Sequence, residues 1–133
     1  MSYIDIAISH VATDRSRGHD ITTTVGFSRE GGRLEQVRQE WRRAGAEDVR
    51  TFTFTPSVDM ERPARALLDA VLGAGGVRSI TVAHDTPGAA TVTWADRYGA
   101  PLGSAPSNEV PAAIRQVLDA SRSLAATLPA PTA

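Results

Sequence analysis

The chain has 133 residues, 41% of them hydrophobic and 22% charged, with a formal net charge of -1. That composition suits a folded globular domain and lacks the positive footprint that dedicated nucleic-acid binding needs. There is no cysteine and no lysine, all 14 basic residues being arginine, which excludes thiol nucleophiles, disulfides, thiolate metal sites, Schiff bases, a Walker-type phosphate loop and any Tyr–Lys pair.

No window approaches the run of about 18 apolar residues that a membrane span requires. The start, "MSYIDIAISH", has no basic segment and carries Asp5 within its apolar run, so no signal peptide is expected and the expected location is the cytoplasm.

Taken in chain order, "YIDIAISHV" alternates, with Ile4, Ile6 and Ile8 in phase, and reads as a strand. "DITTTVGF" alternates as well, through Ile21, Val25 and Phe27, so the two are expected to form a hairpin around a polar, charged loop. "GGRLEQVRQEWRRAG" reads as a helix, with Leu34, Val37, Trp41 and Ala44 along one stripe and Gly45 as its stop. "VRTFTFT" returns to period two. A second helix is expected from Asp59 or Arg62, with Pro63 in its first turn; Ala64, Leu67, Leu68, Val71 and Leu72 face the core, and "GAGG" ends it.

"VRSITVAH" and "AATVTWA" are two further alternating strands, joined by the turn signal "DTPG". "DRYGAPLGSAPS" reads as a Gly/Pro-rich connection. The last helix is expected to be capped by Ser107 or Asn108 and to carry Val110, Ala113, Ile114, Val117, Leu118, Leu124 and Leu128 in phase. A single α/β domain over 1–128 and a frayed tail over 129–133 follow.

The resulting order, ββαβαββα, predicts an α/β (α+β) two-layer sandwich: a mixed five-stranded sheet with its helices on one face. Clean alternation argues against a doubly wound sheet, whose strands are buried on both faces. The other face is rich in threonine: Thr22, Thr24, Thr51, Thr53, Thr55, Thr81, Thr91 and Thr93. It is either a solvated surface built from good strand formers or a surface that docks a partner. Trp41 and Trp94 are both expected in the core.

The stretch from "GRLEQVRQEWRRAGAEDVRTF" to "ALLDAVLGAGGVRSITVAHDTPG" resembles the part of the short-chain dehydrogenases between their second and fourth strands, over less than half of the chain. The Gly-rich turn, the nicotinamide-binding first helix and the Y-x-x-x-K pair of that family are absent. No residue and no cofactor is therefore carried over.

For chemistry, the eye goes first to "SHVATDRSRGHD", which holds His10, Asp14, His19 and Asp20. Two histidines and a carboxylate across a hairpin can hold a metal. Arg15 and Arg17 oppose a cation, however, and no ligand spacing is fixed. Helical crossovers on one face favour parallel strands, which would send His84 to the opposite end from His10 and His19. No metal site is expected on that model.

Ligands in α/β sheets gather beyond the C-terminal ends of the parallel strands. "SREGG", "TPSVD" and "HDTPG" should converge there. Ser28, Arg29, Gly31, Gly32, Ser57, His84 and Asp85 are the candidate ligand-binding residues, with backbone N–H groups and Arg29 facing an anion and His84 beside Asp85 as an acid or base. Each segment also has a structural reading as a cap or a turn. Two functions are carried forward. The first is a non-catalytic accessory or regulatory protein acting through a protein partner or a second copy. The alternative is a small-molecule or phosphate-type anion binder, or a minor hydrolase or isomerase. No cofactor, nucleic acid or membrane is expected in either case.

Overall fold

A computed structural model describes residues 3–12, 19–28, 32–43, 48–86 and 89–128. The chain runs through β1 (Tyr3–Ala12), β2 (His19–Ser28), β3 (Leu34–Arg43), β4 (Val49–Phe54), α1 (Val58–Leu72), β5 (Ser79–Thr86), β6 (Ala89–Ala95), β7 (Pro101–Pro106) and α2 (Ala112–Ala125). The strands form one seven-stranded sheet in the order β4-β3-β2-β1-β5-β6-β7. Only the β1–β5 pair is parallel among the described residues, and it joins two antiparallel blocks.

The α+β class matches expectation; the five-stranded sheet and its order do not. Two segments account for the difference. The stretch "LEQVRQEWRR" is β3, not a helix. Leu34, Val37 and Trp41 fit a helical stripe, but Val37, Gln39 and Trp41 also fit period two. An irregularity between Gly26 and Phe27 places Leu34 opposite Phe27, which keeps Leu34 in phase with them. Ladders to β2 and β4 on both sides outweigh the helix propensity of Leu, Glu, Gln and Arg. The second segment, "PLGSAP", was expected as a connection and pairs with β6 as the edge strand β7. With β3 in place, the likeness to a βαβαβ unit disappears.

The register explains the core. Ile6, Val25, Val37 and Phe54 form one cross-strand row, and Ile80, Trp94 and Gly103 another. These rows pack against Met60, Ala64, Leu67, Leu68 and Val71 of α1 and Ile114, Val117, Leu118 and Leu124 of α2. Both helices thus cover the same sheet face. Burying a side chain such as Leu67, fully enclosed here, stabilises by about 1.5–3 kcal/mol.

Helix α1 starts at Val58, just ahead of the expected Asp59, and ends at Gly73, so Pro63 lies inside the helix. Its expected core positions are buried except Leu72, which is exposed. Helix α2 starts after Pro111 without a side-chain cap. Ser107 instead lies in the turn after β7, where its N–H donates to the carbonyl of Ala90.

On the opposite face one row crosses the whole sheet: Thr51, Glu40, Thr22, Ser9, Thr81, Thr93 and Ser104. The threonine face is therefore a continuous surface, as expected, with one exception: Thr55 lies beyond the end of β4. Thr23, in phase with Ile21 and Val25, is on the core face, where it meets Gln39.

Candidate functional site

Strand direction decides which residues can meet. Strand β5 is parallel to β1 and so runs opposite to β2 and β4. Ser28 and Phe54 end their strands at one edge of the sheet, where Ser79 begins β5. His84 lies near the opposite edge, where β1 ends and β2 begins. The expectation that "HDTPG" joins "SREGG" and "TPSVD" is thus overturned: β4 keeps the direction of β2, but the chain returns through α1 to begin β5 at the end where β4 finishes, so β5 runs opposite to both.

The two remaining segments do come together. A cleft of about 470 Å³ opens between the turn after β2 and the first turns of α1. Gly32, Leu34, Ser57, Glu61 and Arg65 line it, with Phe27 in its floor. Gly32 has φ 63, and a Cβ there would stand 2.7 Å from Leu68 Cδ2, so glycine answers both the backbone conformation and the close approach of α1.

Ser28 closes this turn. Its N–H donates to the Arg33 carbonyl at 2.9 Å, its carbonyl accepts from Gly32 N–H at 3.1 Å, and its Oγ accepts from Arg33 N–H at 3.3 Å. Ser57 is the N-cap residue of α1, and its hydroxyl makes no cap hydrogen bond. Arg29 and Gly31 lie outside the described residues. His84 and Asp85 belong to β5 at the far end.

The charges around the cleft are balanced. Arg33 Nε lies 3.5 Å from Glu35 Oε1, and Arg65 Nε lies 3.7 Å from Asp69 Oδ1. Glu61 adds a carboxylate to the wall. An anion would meet two guanidiniums that already face carboxylates, at solvent-exposed positions where screening is strong. Glu61 and Arg65 were not singled out in the sequence. Their spacing of four residues on a helix starting at Val58 is the signal that places them on one face.

The sheet has two edges. Among the described residues strand β4 pairs only with β3, in unbroken register from Phe54 opposite Val37 to Val49 opposite Arg42. Most of its residues are exposed, Val49 among them. Strand β7 begins and ends with proline, and its register with β6 shifts between Trp94 and Ala95.

No helix among the described residues is long and apolar enough to cross a membrane. Comparison with protein-family models, with curated proteins and with solved structures finds no match to this chain.

Proposed function

We propose that this chain is a cytoplasmic, non-catalytic accessory protein that acts by protein contact, and that the contact is made by adding a strand along β4. The carrying observation is the contrast between the two sheet edges. An edge strand exposes a row of backbone N–H and C=O groups that another strand can pair with, and proteins blunt such edges with proline, lysine, bulges or short length. β7 carries proline at both ends and an irregular register. β4 has six residues, no proline and no bulge.

The simplest occupant is a second copy, β4 against β4 about a two-fold axis, which continues the sheet and its threonine face across both chains. Light scattering after size exclusion, run over a concentration series, tests this. A dimer is expected for the chain as it stands. A Thr51→Lys/Thr53→Lys variant brings like charges together across the joint and should run as a monomer with an unchanged far-ultraviolet spectrum. A strict monomer at every concentration would overturn the reading. The anion-binding alternative has weaker support, because the cleft's arginines are already matched by carboxylates.

A further inference from the structure

The cleft between the turn after β2 and the first turns of α1 stands apart from the β4 edge. At about 470 Å³ it falls within the size range of small-molecule sites, about 300–1,000 Å³. Its floor is apolar. Phe27 and Ala64 are buried in the core, and Leu34 packs half-buried against it. Val58, also on the cleft, is 79% exposed, which leaves apolar surface for a ligand to cover. A Cβ on Gly32 would stand 3.1 Å from Arg65 Nη1. The Arg65 guanidinium is thus held against the turn, at the side of the cleft.

Three charged side chains line the cleft: Arg33, Glu61 and Arg65. The closest approach of each arginine to a carboxylate is through Nε, at 3.5 Å to Glu35 and 3.7 Å to Asp69. Charge-assisted hydrogen bonds are about 2.7–2.9 Å long, so these are loose pairs that leave the terminal Nη donors for another acceptor. Glu61 has no ion pair among the described residues. It lies one turn before Arg65 on α1, which sets the two Cβ atoms about 5–6 Å apart. The cleft therefore offers a carboxylate and a guanidinium side by side above an apolar floor. An anion alone would face Glu61, and a cation alone would face two guanidiniums. A molecule that carries both charges on one carbon meets each with its opposite.

We propose that this cleft binds an α-amino acid with an apolar side chain. The ligand's carboxylate accepts from the Nη groups of Arg65 and Arg33, its ammonium donates to Glu61, and its side chain covers Phe27, Leu34 and Val58. Exposed charges contribute little singly, so selectivity comes from the need for both together with the apolar floor.

The test follows the backbone amides of the full chain by NMR while L-phenylalanine is added to about 20 mM, a ceiling suited to contacts made at exposed charges. Phenethylamine and 3-phenylpropionate, which keep the ring and one charge each, are titrated in parallel. Amides of Gly32, Leu34, Val58 and Glu61 should shift with L-phenylalanine along a saturating curve, and either analogue should bind about threefold or more weakly. Glu61→Gln and Arg65→Gln, both at exposed positions, should each lose about threefold or more in affinity for L-phenylalanine with the rest of the spectrum unchanged. No saturating shift, shifts that map away from the cleft, or an analogue that binds as tightly as the amino acid would overturn the site, as would unchanged affinity in both variants. If a variant fails to fold, the comparison of the three ligands on the unaltered chain decides alone. A chain that is monomeric at every concentration leaves this outcome untouched, since no residue of β4 takes part.

Discussion

At Gly103 a single hydrogen in place of a side chain lets β7 approach Trp94. A Cβ built there would stand 2.4 Å from Trp94 Cζ2, inside any tolerable contact. Gly103→Ala must therefore push the indole aside or shift the edge strand. A loss of about 1–3 kcal/mol is expected, read as a lower thermal midpoint; an unchanged midpoint would show that the edge yields freely. Gln39 has a different local task. It is buried, its Nε2 donates to Thr23 Oγ1 at 3.1 Å, and its Oε1 accepts from Trp41 Nε1 at 3.2 Å. That network satisfies the polar atoms β3 brings to the core face, and Trp41 then meets Phe52 edge-on at 5.9 Å.

At the scale of the element, β3 is where local and tertiary preferences conflict. Its residues favour a helix one by one, and its apolar positions fit either period. Partner strands are what settle it as a strand, since a lone segment has no ladder to join. A peptide covering 31–45 should give no sheet spectrum in water and should turn helical in trifluoroethanol. A sheet spectrum in isolation would mean that the segment itself encodes the strand. The helices show the opposite case. Apart from Leu72, and from Val110 and Leu128 beyond the ends of α2, the expected core stripes of α1 and α2 hold because their apolar residues recur at helical spacing alone. Their starts were less legible, since Pro111 precedes α2 where a side-chain cap was expected.

At the scale of the molecule, the parallel β1–β5 pair is the seam between two antiparallel blocks. Trp41 reports on the first block and Trp94 on the second. Residues of both blocks and both helices share one core cluster, so the blocks should unfold together. In Trp41→Phe and Trp94→Phe variants, the remaining tryptophan's fluorescence should give the same denaturant midpoint as that variant's own far-ultraviolet signal. Separate midpoints in either variant would show that the seam parts before the blocks melt. The same seam joins Ala7 to Ser79, a pairing distant in sequence that favours slow folding.

The sequence by itself determined the α+β class, both long helices, the alternating threonine face and the chemistry excluded by the absence of cysteine and lysine. These are local or compositional properties, written in spacing and residue type. Only the tertiary structure decided that residues 34–43 pair as a strand, because a ladder is made with neighbours distant in sequence. The tertiary structure also decided that the chain returns through α1 to begin β5 where β4 finishes, so that β5 runs opposite to β2 and β4. That direction puts His84 at the end of the sheet where β1 finishes and β2 begins, away from Ser28 and Ser57. In a sheet, which residues meet is set by strand direction, and direction depends on the end to which each connection returns the chain, which local spacing does not record.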